Sequence, residues 1–222
     1  MYQLVVFDMA GTTVHDRDFV HQALISAMKV YGFEVDRSEA NAVMGYPKPL
    51  AIRQMLERRC ADVALVEPIH QRFLEEMTRF YATDPAVKPA DYAEEALLRL
   101  RAAGVRVALN TGFSRNIAET IIRRLGWEER LDAWVASDMV EQGRPYPHMI
   151  RYLMEKTGVK DPASVAKVGD TPVDIEEGRN AGVGLVLAVT NGAYEAEELS
   201  PYGPHHLVAD LREALTYLLP NE

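Results

Sequence analysis

The sequence predicts an α/β fold: a parallel sheet flanked by helices, broken near its start by an all-helical block. Three observations predict it. Short apolar runs recur, and several end at a polar cluster. From about residue 86 those runs alternate with stretches of helical periodicity. Between Asp18 and Thr83 only helical periodicity occurs.

The elements follow in order. Residues 3–7, QLVVF, read as a buried first strand leading into Asp8 and a glycine-containing loop. Phe19, Val20, Ala23, Leu24, Ala27, Met28 and Tyr31 repeat at helical spacing, and Gly32 stops that helix. Pro49–Arg59 and Pro68–Tyr81 read as two further amphipathic helices. Tyr92–Ala103 is a helix closed by Gly104, and Val105–Asn110 a strand. Ser114–Leu125 is a helix with Ser114 as its N-cap. Ala133–Ala136 is a strand, Pro147–Lys156 a helix and Val165–Val168 a strand. Val173–Asn180 is a short helix, Leu185–Thr190 a strand and Asp210–Leu219 a closing helix. The helical block is then an insertion: residues 1–15 and 84–222 make the core, and 16–83 the insert.

Composition bounds the function. The 222 residues allow one core plus a smaller insert and can bury that core without staples. Hydrophobic residues are 48% and charged residues 26%, which excludes whole-chain disorder. With 24 Lys+Arg against 33 Asp+Glu, the net charge is -9. So acidic a chain is expected to bind neither nucleic acid nor an anionic membrane surface. The lone Cys60 forms no internal disulfide. The start, MYQLVVFDMAGTT, lacks a basic segment, and no run approaches the ~20 apolar residues of a span. A cytoplasmic location is expected.

In parallel sheets ligands sit beyond the carboxyl ends of the strands. The first strand is followed by Asp8-Met9-Ala10-Gly11-Thr12-Thr13, and Val105–Asn110 by Thr111-Gly112-Phe113-Ser114. Gly169-Asp170-Thr171 follows Val165–Val168, with Asp174 beyond, and Gly143-Arg144-Pro145-Tyr146-Pro147 precedes a helix. All four clusters fall at one sheet edge. Asp8 and Asp170 are hard oxygen ligands suited to a magnesium ion, Mg²⁺. Thr111 and Gly112 open a helix, whose positive end favours an anion. Arg144 matches phosphate geometry. Asp8 is a candidate nucleophile that forms an aspartyl-phosphate.

These motifs resemble the haloacid dehalogenase superfamily, whose fold is a Rossmann-like parallel sheet core with an inserted all-helical cap domain. The resemblance runs from Val5 to about Val189. Most phosphatases of that superfamily carry an Asp two residues after the nucleophile, which protonates the leaving oxygen. Ala10 stands there and has no proton to give. The usual motif lysine is Arg144. Both replacements resemble the phosphonoacetaldehyde hydrolase (phosphonatase) branch, with its D-x-A-G-T and G-R-P-x-P motifs. That branch also has a cap lysine in an M-G-x-x-K context, matched by Met44-Gly45-Tyr46-Pro47-Lys48.

The chemistry is coherent. Cleaving a C–P bond releases carbon, so it needs an electron sink rather than an acid beside Asp8. A lysine condensed with a β-carbonyl supplies that sink as a protonated imine. An ordinary lysine titrates near ~10.4, so desolvation or a nearby cation must lower it. The resemblance implies that Asp8 is nucleophile and Mg²⁺ ligand, with the Ala10 backbone carbonyl and Asp170 as further ligands. It implies Asp174 as a ligand through water or a partner behind the ligands. Thr12, Thr111, Gly112 and Arg144 would bind the phosphoryl group, Lys48 would form the imine, and Met44 would pack beside it. The expected partner is a small phosphonate, a 2-oxo-alkylphosphonate such as phosphonoacetaldehyde or a substituted analogue.

Three positions depart from the branch: Ala51 replaces a common His, Phe113 a Tyr and Asp18 a Cys. The alternatives are a phosphate-monoester phosphatase, which Ala10 disfavours, and a non-catalytic phosphonate or phosphate binder, which has no need of a nucleophile. Elsewhere, Cys60 reads as a packed or incidental thiol, Trp127 and Trp134 as packing residues, and His15 as a residue touching the insert. The adjacent His205 and His206 point apart on extended chain and do not read as a metal site. The resemblance also implies a homodimer through the cap.

Overall fold

The computed structural model describes residues 2–16 and 18–219. Among them a six-stranded sheet runs in the order β3-β2-β1-β4-β5-β6. The strands are β1 (Leu4–Asp8), β2 (Arg106–Thr111), β3 (Ala133–Ala136), β4 (Val165–Gly169), β5 (Leu185–Val189) and β6 (His206–Val208). Every neighbouring pair is parallel. The sequence reading missed β6, because three residues carry no usable periodicity.

β1, β4 and β5 are buried at every position, as strands covered on both faces must be. Alternation sends Val5, Phe7, Leu109 and Val168 to one apolar cluster. It sends Leu4, Val6, Ala108 and Val186 to the other. The second cluster is completed by α7 (His148–Thr157) and α8 (Pro172–Ala181). The first takes α5 (Ala93–Ala102), α6 (Arg115–Leu125) and α10 (Leu211–Leu218).

Between β1 and α5 lie α1 (Phe19–Val30), α2 (Arg37–Asn41), α3 (Lys48–Arg58) and α4 (Val66–Thr83). The short α2 escaped the sequence reading; a capping box between Asp36 and Glu39 holds it. Leu24, Met28, Ile52, Met55, Phe73 and Met77 of these helices are buried in the same cluster as Phe7 and Leu109. The segments leading into and out of the helices run side by side: Val14 bridges Pro89, and Ala90 N–H donates to Thr13 O at 2.8 Å. The remaining short helix, α9 (Ala196–Leu199), precedes β6.

Several expectations are refined. Ser114 is the N-cap of α6, but its hydroxyl makes no cap bond; Asp138 accepts from the Arg115 N–H at 2.8 Å instead. Cys60 is exposed, not packed, because it follows the end of α3 in a turn with φ 51°. Trp127 is fully buried. His205 Nδ1 accepts from Val186 N–H while His206 stacks on Tyr217, so the two rings diverge. Among the described residues no helix is long and apolar enough to cross a membrane.

One apolar cluster joining the inserted helices to the sheet predicts one cooperative transition. Phe73 is fully buried in it. Phe73→Ala should lower the stability of the whole chain by about 3–5 kcal/mol, read as a shifted urea midpoint. Two separate transitions, with only one of them moved, would refute the shared core.

Candidate active site

The parallel sheet sends the carboxyl ends of its three central strands to one edge. Asp8 ends β1, Thr111 ends β2, and Asp170 follows Gly169 at the end of β4. Asp8 is in register with Asn110. The loop before α7 returns Arg144 to the same place.

Arg144 is 1% exposed, and each of its nitrogens lies within ion-pair distance of a carboxylate, although Nε makes no hydrogen bond among the described residues. Nη2 lies 2.6 Å from Asp8 Oδ1 and donates to Asn110 O and Oδ1 at 2.9 and 2.7 Å. Nη1 lies 3.1 Å from Asp174 Oδ1, and Nε 3.3 Å from Glu177 Oε2. Lys167 Nζ, fully buried, reaches Asp174 Oδ1 and Asn110 Oδ1, both at 2.8 Å. Asn110 Nδ2 in turn donates to both Glu177 oxygens. Burial works against a positive Arg144, but Asp174, Asp8 and Glu177 outweigh it and hold the guanidinium charged. Burial also pushes Asp174 up, yet Arg144 and Lys167 prevail and hold that carboxyl below the usual range.

Asp170 is held differently. Thr12 Oγ1 donates to its Oδ1 at 2.9 Å, and Ala193 N–H to its Oδ2 at 2.7 Å. Gly11 is obligatory beside it: φ is +90°, and a Cβ would come within 2.2 Å of Asp170 Oδ2. Burial, then the charges of Asp8 and Asp174, push Asp170 well above an ordinary carboxyl; burial raises Asp8 as well.

Asp8, Asp170 and Asp174 each offer an oxygen, and these lie within 4.8 Å of one another. Four buried carboxylates, counting Glu177, stand with three buried cations, Arg144, Lys167 and Lys48. The excess of negative charge and the all-oxygen donor set fit a hard divalent cation.

Lys48 reaches this edge from the inserted helices. It is the first residue of α3, is 4% exposed, and donates from Nζ to Tyr46 O at 3.5 Å. Its loop lies directly on the sheet edge. Gly45 has φ +79° and leaves no room for a Cβ, which would meet Val173 Cγ2 at 2.3 Å. Gly112 is equally closed by the carbonyls of Gly45 and Tyr46. Burial, with Arg144 adding to it against the pull of Asp8 and Asp16, brings the Lys48 ammonium down to about 8. The positive end of α3 acts in the same direction.

Asp8, Lys48, Thr111, Gly112, Arg144 and Asp170 line a single cleft. Met44 and Ala10 line it too. Thr12 and Asp174 stand behind it, Thr12 bound to Asp170 and Asp174 to the Thr171 hydroxyl and N–H. Phe113 lines the cleft, whereas Asp18 pairs outside it with Arg37.

The sequence reading missed Asn110, Lys167 and Glu177. Lys167 carried a signal, since a lysine inside the apolar strand VAKVG must be paired. Glu177 lies one helical turn after Asp174. It also missed Asp16 and His21 as cleft residues.

Such an edge, with an aspartate ending the first strand and acids and an arginine gathered around it, defines a hydrolase of the haloacid dehalogenase type. The chain belongs to the haloacid dehalogenase-like hydrolase family, whose model matches residues 2–182. Within that family it is phosphonatase-like. It is 31% identical over 214 residues to the phosphonoacetaldehyde hydrolase of Bacillus cereus, covering 89% of this chain and 80% of the relative. It is 34% identical over 205 residues to the bifunctional phosphonoacetaldehyde hydrolase/aminoethylphosphonate transaminase of Clostridioides difficile. That match takes 86% of this chain but only 32% of the longer relative. In fold it is similar to the crystal structure of a phosphonoacetaldehyde hydrolase-like protein from Oleispira antarctica. The TM-score is 0.87 at 22% identity, over 99% of this chain and 92% of that one.

The buried network makes Arg144 a structural hub. Arg144→Met leaves Asp8, Asp174 and Glu177 underpaired and should cost about 3–5 kcal/mol of stability without divalent ions, measured by urea unfolding. A loss below about 1 kcal/mol would show that the network is not held by the guanidinium.

Proposed function

We propose that the protein hydrolyses the C–P bond of a 2-oxo-alkylphosphonate, phosphonoacetaldehyde or a substituted analogue, in a cleft closed by the inserted helices acting as a cap. One observation carries the reading. Lys48, buried and brought down to about 8, shares a cleft with Asp8, while Ala10 stands two residues after that aspartate. A phosphate ester would require a proton for its leaving oxygen, and Ala10 has none. A phosphonate with a β-carbonyl requires instead an amine that is partly neutral near pH 8.

The chain's own residues then act in turn. The Lys48 amine adds to the carbonyl carbon, and loss of water gives a protonated imine. Asp8 attacks phosphorus. The C–P electron pair moves into the new C=C bond, and the iminium π pair moves to nitrogen. The products are an aspartyl-phosphate on Asp8 and an enamine on Lys48. Water cleaves the first to inorganic phosphate. Protonation at carbon and hydrolysis release the second as the carbonyl product. Arg144 orients Asp8 through the 2.6 Å contact, and Thr111 and Gly112, which line the cleft between β2 and the start of α6, would meet the phosphoryl oxygens. Asp8, Asp170 and the Ala10 carbonyl would hold Mg²⁺, with Asp174 behind them; the ion would neutralise the repulsion between carboxylate and phosphonate.

Two outcomes are expected. With phosphonoacetaldehyde and Mg²⁺ the parent releases phosphate, and both Asp8→Ala and Lys48→Arg lose that release. Lys48→Arg activity within a few-fold of the parent would refute the imine route. The pH profile has a definite sign. The reactive form of Lys48 is neutral, so the rate should climb through about pH 8 and level off above it. A rate flat from pH 6.5 to 9 would contradict the assignment.

A further inference from the structure

The cleft contains a buried ring nitrogen without a partner. His21, on α1, lines the same cleft as Lys48 and Asp8 and is 3% exposed. Its Nε2 lies 2.9 Å from Asn41 Oδ1. An amide oxygen only accepts, so Nε2 carries the hydrogen, and in the neutral ring Nδ1 keeps a free lone pair. Nδ1 has no hydrogen-bond partner among the described residues. Buried polar atoms are normally satisfied, and an exception at a ligand cleft marks a site for the ligand.

The titratable side chains of the cleft other than Lys48 and His21 are engaged. Asp8, Asp170 and Arg144 are bound into the acidic end. Asp16 accepts from the Phe19 N–H at 2.8 Å and so caps the start of α1. The apolar wall of the cleft includes Val20, Met44 and Phe113, none of which moves a proton. Imine formation and breakdown demand several proton transfers at carbon, nitrogen and oxygen, and imidazole is the side chain suited to them near neutral pH.

We propose that His21 Nδ1 carries the protons of the imine chemistry at Lys48, an inference that rests on the C–P hydrolase reading. Lys48 Nζ bonds to the carbonyl carbon and the π pair moves to oxygen. Nδ1 takes the surplus proton from nitrogen and returns it to that oxygen. A further proton, drawn from solvent through Nδ1, lets the hydroxyl leave as water while the nitrogen lone pair closes the C=N bond. After C–P cleavage Nδ1, protonated again from solvent, gives that proton to the enamine carbon that lost phosphorus. Water then adds to the iminium, and the reverse transfers free the carbonyl product and the Lys48 amine. Asn41 holds the ring through Nε2, which leaves Nδ1 for this chemistry.

The test compares the parent with His21→Gln and His21→Ala, using phosphonoacetaldehyde and Mg²⁺. Gln keeps a donor for Asn41 but has no ring nitrogen to take up and release a proton. Phosphate release should fall about 10²–10⁴-fold in kcat in both variants, with KM within a few-fold. Borohydride capture of the substrate on the enzyme should slow in parallel. Added imidazole should restore turnover to His21→Ala. His21→Gln within fivefold of the parent in both readouts would overturn the inference. A loss that imidazole does not repair, and that tracks a lowered melting temperature, would also overturn it by making His21 structural. The two failures separate cleanly: a parent captured by borohydride with unaffected variants removes His21 alone, whereas a parent that is never captured removes the imine reading and His21 with it.

Discussion

A buried guanidinium organises the functional edge of this protein. Arg144 links Asp8 of β1, Asn110 of β2 and both Asp174 and Glu177 of α8. Burying charge is costly unless every partner is in place. The cost is met by Lys167 and by Asn110, which bonds to Arg144, Lys167 and Glu177 at once. The result is a rigid carboxylate array carrying more negative than positive charge. Asp170 forms no ion pair with the guanidinium, is steadied by Thr12 and the Ala193 N–H, and is pushed up by burial and by the charges of Asp8 and Asp174. One arrangement thus fixes the orientation of Asp8 and gathers carboxylates whose oxygens fit a hard divalent ion.

The second constraint is the contact between Gly45 and Gly112. Neither position has room for a Cβ, so the loop before α3 rests on the backbone that follows β2. That contact lowers Lys48 into the cleft and removes it from water. Desolvation is the first cause of its lowered proton affinity. The packing of the inserted helices, which share their apolar cluster with the sheet, therefore sets the chemistry available to the amine.

The core was legible because its signals are local. Apolar runs such as LVVF and VLAV, each bounded by turn residues, fix β1 and β5, and the polar residues after β1, β2 and β4 fall at one edge by topology alone. Asp8, Lys48, Thr111, Arg144 and Asp170 were found that way and through family resemblance. The partners behind them were not. Asn110 and Glu177 acquire meaning only when β2 and α8 meet across the sheet edge, 67 residues apart in sequence. His21 carries no signal in the sequence beyond its place in α1; its unpaired nitrogen exists only once α1 closes on α2 through Asn41. Short elements such as α2 and β6 lack the length that periodicity needs.

The account stands on covalent chemistry at a single amine. The most direct measurement is borohydride reduction of the protein during turnover of phosphonoacetaldehyde with Mg²⁺, followed by peptide mass spectrometry. The account predicts a two-carbon alkyl adduct on Lys48 and on no other lysine, formed alongside phosphate release. Phosphate released with Lys48 left unmodified would contradict it.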